Sequence, residues 1–123
     1  MTNLTNVIQE IKTLSTEILE LKIEIQDIHS NVVCEKITVN GTKNRYERAV
    51  YESGEHKNDK TRDWALKDLL NDDLCYLEAV RKVEKFELEV IQKENLISDK
   101  KIELEYQRNI LKLAEIESAK VGI

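Results

Sequence analysis

The side chains of this sequence best suited to nucleophilic, acid–base or metal chemistry near neutral pH are two cysteines, Cys34 and Cys75, and two histidines, His29 and His56. Their placement gives that chemistry no partners. The two cysteines do not form a Cys-x-x-Cys pair or gather enough neighbouring ligands for a zinc site, and one widely separated pair is not a disulfide framework, so both are read as free thiols of a reducing cytoplasm. His56 lies in the polar run Gly54-Glu55-His56-Lys57-Asn58, where catalysis would need a carboxylate delivered by the fold, and His29 falls at the edge of an apolar stripe. Glu-x-x-His does not occur, which removes the di-iron type of helical-bundle site, and no glycine-rich loop is present to cradle a phosphate. Carboxylates are abundant, but they stand at helical spacing from bases, as in Glu78 with Lys82, Glu84 with Arg81 and Glu89 with Lys93. Such pairs are ordinary exposed ion pairs worth a few tenths of a kcal/mol each. No catalytic residue, metal ligand or cofactor is expected.

Charge points to partners rather than to chemistry. The chain carries a formal charge of -5, with 35% charged residues, which opposes general affinity for nucleic acid or anionic membrane. Residues 36 to 62 are the exception, with seven bases against four acids. Within them Arg45, Arg48, Lys57, Lys60 and Arg62 are candidate phosphate contacts, accompanied by Tyr46 and Tyr51. The interleaved acids equally suit a solvated mixed-charge turn. Trp64, the single tryptophan, is read as a core anchor, with an exposed binding hot spot as the alternative.

The elements that carry these residues are helices. Aromatics make up 5% of the chain, Pro is absent and Gly occurs three times, the profile of long helices rather than of sandwiches or barrels. From Leu4 to Val32 a heptad frame is filled at every core position: Leu4, Ile11, Ile18, Ile25 and Val32 at a, and Val7, Leu14, Leu21 and Ile28 at d. A stripe so narrow is buried only against another helix. Beta-branched a positions, mostly Leu at d, and a plausible interchain pair of Glu17 with Lys22 hint at a parallel self-partner, although the stripe serves an intramolecular antiparallel packing equally well.

Between about Ser30 and Lys60 the pattern changes. Asn40-Gly41 favours a tight turn, and Arg45 to Ser53 reads as a short helix stopped by Gly54. Asn58, Asp59 and Thr61 supply caps for a new helix, and Asn71-Asp72-Asp73 marks a kink or restart. The expected organisation is a single helical domain over 1–123, with a helix over 3–32, a connection with a short helix over 33–58, a helix over 59–71 and a long helix over 72–118.

The last helix is apolar on more than one side. One line of seven-residue steps reads Leu69, Tyr76, Val83, Val90, Ile97, Leu104 and Leu111; its companion fails at Lys93, Lys100 and Gln107; and Leu88, Ile91, Ile102, Tyr106 and Ile116 form an offset stripe. A first helix of about 28 residues is too short to cover a rod of roughly 65 Å, so a second copy is the expected source of the missing surface. The fold class expected is an all-α long helical hairpin or antiparallel coiled coil with a short connecting helix, completing a bundle as a homo-oligomer, most simply a dimer. The residues expected to pack helices or oligomerise are Leu4, Ile11, Leu14, Ile18, Leu21, Ile25, Ile28, Leu88, Ile91, Ile97, Ile102, Leu104, Tyr106 and Leu111. The uninterrupted apolar run of a membrane span or export signal is absent.

Tyr46-Glu47-Arg48-Ala49, Gly54 to Asn58, Arg62 with Ala65, and Ile102 to Arg108 together resemble small helical proteins encoded by phages and integrated elements, in which a Gly and a Lys-Asn pair open a long charged helix. The resemblance spans roughly residues 46 to 113, and Ile37 to Asn44 departs from it. It implies a coiled-coil protein of mobile-element origin and defines no functional residues. The leading functional expectation is a non-catalytic, cytoplasmic, oligomerising interaction or scaffold protein that binds itself and another protein. Two alternatives are a nucleic-acid accessory protein using residues 36 to 62, and a small acidic inhibitor of a nucleic-acid enzyme.

Overall fold

The computed structural model describes residues 3–121 and contains no strand among them. Three helices follow one another: α1 over Leu4–Glu52, α2 over Asp59–Asp72 and α3 over Leu74–Val121. The described chain divides into two compact units, one built from α1 up to Asp27 with α3 from Val90 onward, the other from Ile28–Glu89. In each unit α1 and α3 run antiparallel, which gives the helical hairpin with a short connecting helix that the residue pattern implied.

In the first unit the heptad stripe of α1 supplies the buried Val7, Leu14, Ile18 and Ile25, and α3 answers with Val90, Ile97 and Leu104. Ile11 and Leu21 are half-buried, while Leu4, at the start of the helix, is exposed. Two ion pairs fix the direction: Lys100 reaches Glu17, and one heptad back along α3 Lys93 reaches Glu24, one heptad forward along α1. Within the single chain α3 fills this stripe, and Glu17 pairs with Lys100. Lys93, placed by the sequence near Glu89, reaches Glu24 of α1.

In the second unit the same inward row of α1 continues beyond Val32. Ile28, Val32 and Val50 are buried, and Glu35, Val39, Thr42 and Tyr46 between them are half-buried at alternating spacings of three and four. Leu70 of α2 and Ala79 of α3 complete this small core. The connection expected over 33–58 is therefore a correction: α1 is unbroken to Glu52, and neither the turn at Asn40-Gly41 nor a separate short helix exists. Gly41 keeps an ordinary negative φ, and a Cβ added there would meet nothing, so it sits on the outer side of the helix. A mid-helix glycine costs about 1 kcal/mol, which continuous packing on the inner side offsets. A second correction follows, since α1 and α3 are nearly equal in length and no short first helix leaves a long partner uncovered.

The true breaks lie at Gly54 and Asp73. Gly54 adopts φ +68, the left-handed geometry that ends a helix without a Cβ clash. Asn58 then caps α2, its side chain accepting the Thr61 N–H at 2.9 Å. Asp73 separates α2 from α3, and its carboxylate accepts the Tyr76 N–H at 3.0 Å, capping the new helix.

Candidate interaction surface

No group of three or more His, Cys, Asp or Glu side chains able to hold a metal ion occurs among the described residues. Cys34 and Cys75 are free and exposed, and His29 is exposed on α1. The backbone carbonyl of His56 accepts a hydrogen bond from Arg62 Nε at 3.1 Å, which fixes the linker backbone without engaging the imidazole. No helix is long and apolar enough to cross a membrane among the described residues.

Of the five basic residues singled out in the sequence, Arg45, Arg48, Lys57 and Lys60 are exposed and Arg62 is half-buried. Arg62 is turned into the packing: besides His56 it contacts Asp59 at 3.5 Å, and its guanidinium lies 4.8 Å from the Tyr51 ring centre. Arg45 stacks over Tyr46 and Lys60 over Trp64, while Arg48 and Lys57 are exposed. Trp64 corrects the core-anchor reading, being 58% exposed on the outer side of α2. The inner side of α2 uses Arg62, Ala65, Leu66 and Leu70, linked by steps of three and four, and Trp64 falls outside that arc. In the first unit a groove between α1 and α3 is lined by Lys22, Lys101 and Arg108 with Ser15, Ile18 and Leu104.

The helix-packing residues separate into two sets. Ile18, Ile25, Ile28, Leu14, Ile97 and Leu104 are buried, and Ile11, Leu21 and Leu111 half-buried, all on the inner seam. Lys93, Lys100 and Gln107, which break the companion line in the sequence, also face this seam and are half-buried. The offset stripe faces outward. Ile91, Ile102, Tyr106 and Ile116 in the first unit are between 44% and 69% exposed, and Leu88 in the second unit is exposed as well. Leu113, not singled out in the sequence, is 61% exposed and belongs to the same row. Its signal was present all along: Ile102, Tyr106, Asn109, Leu113 and Ile116 follow steps of four, three, four and three, a second heptad row on the side of α3 away from α1.

No family model, curated protein or solved structure matches this chain. The outward row is thus weighed on its own physical chemistry. No described side chain is fully buried.

Proposed function

We propose that this protein acts without catalysis, as a helical interaction protein that associates with its own copies, in the simplest case as a dimer, and through that assembly serves as a scaffold for other proteins. The observation that carries the reading is the outward row of α3, from Ile102 to Ile116, apolar at four of its five positions and left in water by the single chain. Burying one Leu or Ile is worth about 1.5 to 3 kcal/mol, so covering several in two copies at once is a substantial drive to associate.

Sedimentation equilibrium on the full chain tests the reading, with circular dichroism to record helicity. A dimer or higher oligomer whose population rises with concentration is the expected result. A helical chain that remains monomeric at every concentration measured would sink it.

A further inference from the structure

The outward row of α3 has a property beyond being apolar: it is complementary to itself in one orientation. Ile102, Tyr106, Asn109, Leu113 and Ile116 span roughly 21 Å of helix; in an antiparallel pair of α3 helices the first four meet one another, and Ile116 falls opposite Asp99 of the partner subunit. The side chains that fill the seam between α1 and α3 in the first unit show what an antiparallel heptad contact does: a step of seven forward along one helix answers a step of seven backward along the other, as in Glu17 with Lys100 and Glu24 with Lys93.

The same geometry applied to two copies of α3 has a unique consequence near Asn109. Setting Ile102 against Leu113 of the partner subunit sets Leu113 against the partner's Ile102, because a two-fold contact is reciprocal. Tyr106 then meets Asn109 of the partner subunit, a phenol beside an amide, and Asn109 meets the partner's Tyr106. On one flank of this row stand Glu105 and Lys112. The register places Glu105 against the partner's Lys112 and Lys112 against the partner's Glu105, so both flanking charges are matched twice. On the other flank Glu103 falls against the partner's Ile110, and no like charges meet. Glu105 and Lys112 are both exposed and have no ion-pair partner among the described residues. A parallel arrangement would instead set Glu105 against the partner's Ile110, leaving that carboxylate unmatched, with only Lys112 answered by the partner's Glu117.

We infer that the occupant of this face is a second copy of the chain, joined through antiparallel α3 helices about a two-fold axis between Tyr106 and Asn109, with Ile102 on Leu113 and Glu105 on Lys112 across the interface. The inference deepens the self-association reading and rests on it. It also distinguishes two roles within α3: the seam row holds α1, and the outer row holds the partner.

Charge reversal within the full-length chain tests the register. Glu105→Lys alone turns two attractive contacts into two repulsive ones and weakens the dimer by about tenfold in sedimentation equilibrium, and Lys112→Glu alone does the same. The double variant E105K/K112E restores dimerisation to within about twofold of the wild type. Ile102→Glu, at a position 69% exposed in the single chain, abolishes association while leaving the circular dichroism spectrum unchanged. Single reversals that leave a dimer as tight as wild type would overturn the inference, the second copy then seating elsewhere, while self-association itself would stand. A wild-type chain that never associates would overturn both.

Discussion

The Tyr46 hydroxyl donates to Asp73 Oδ2 at 2.7 Å, tying α1 to the break between α2 and α3. Asp73 serves that junction in several ways, since its Oδ1 accepts the Tyr76 N–H and its backbone N–H donates to the Leu70 carbonyl at 3.2 Å. Tyr46→Phe removes one of these bonds and Asp73→Ala removes two, the cap of α3 included. The melting temperature is expected to fall by about 3 °C in the first variant and by about 6 °C in the second. Tyr46→Phe adds almost nothing in the Asp73→Ala background, because the bond it deletes is already gone. Thermal melts followed by circular dichroism measure all four members of the cycle, and full additivity would show that the two side chains act independently.

The same contact makes stability depend on pH at both ends of the scale. The Tyr46 hydroxyl and, after it, the Tyr76 N–H favour the ionised Asp73 carboxylate and hold its pKa below the ordinary value. A depressed carboxylate stabilises the fold above the unfolded-state pKa, about 3.9 for Asp, and that contribution is lost as pH falls through the lower folded value. The hydrogen bond to Asp73 raises the Tyr46 pKa. Its contribution is present below the ordinary tyrosine range and is lost as pH rises through the raised folded value. The melting-temperature difference between the wild type and Asp73→Asn is therefore flat from pH 5 to 8 and shrinks at the acid end. A difference that stayed constant down to pH 2 would separate Asp73 from the acid response.

Much of the architecture was legible because apolar periodicity is a direct record of burial. The Leu4 to Val32 stripe, the stop at Gly54, the cap at Asn58 and the restart near Asp73 all follow from residue types that leave few conformational choices. The middle of α1 was illegible for a specific reason: its inward row beyond Val32 contains Glu35, Thr42 and Tyr46, polar residues whose polar groups reach past the seam. Glu35 pairs with Lys82, and Tyr46 with Asp73. Apolar counting sees a gap there, and Asn40-Gly41 then looks like a turn. The inner companion line of α3 was hidden in the same way by Lys93 and Lys100, whose stems lie on the seam while their ammonium groups reach Glu24 and Glu17. Trp64 was misread because composition says only that a large aromatic is costly to expose, not that the short helix bearing it has an inner arc already filled.

The two glycines are expected to respond in opposite directions. Gly41 is helical, on an outer face with open space at its Cβ position, so Gly41→Ala stabilises by about 0.5 to 1 kcal/mol through helix propensity and a less mobile unfolded chain. Gly54 also has open space, but its φ of +68 penalises any L side chain, so Gly54→Ala destabilises by about 1 kcal/mol. Urea unfolding of the two variants measures both. Destabilisation by Gly41→Ala would mean that α1 is not continuous through this point.

Lys100 and Lys93 raise the question of why a seam that could be wholly apolar is not. Their side chains are 30% and 26% exposed, and the carboxylates they reach, Glu17 and Glu24, are 39% and 53% exposed, so these pairs are only partly removed from water. Pairs so placed contribute little net stability and lose to a well-packed hydrophobic residue of similar volume. Lys100→Leu is expected to raise the melting temperature by about 4 °C, since the added apolar area is buried against α1 and Glu17 returns to water. Glu17→Ala, which leaves the ammonium group on the seam without its partner, is expected to lower the melting temperature slightly instead. What the lysines supply is direction: each can reach a glutamate only when α1 and α3 run antiparallel in this register. The double variant K93L/K100L should therefore be more stable yet less uniform, showing extra oligomeric species in sedimentation velocity at concentrations where the wild type gives one boundary. A double variant that is both more stable and equally uniform would assign the register wholly to the apolar residues and leave the two lysines without that role.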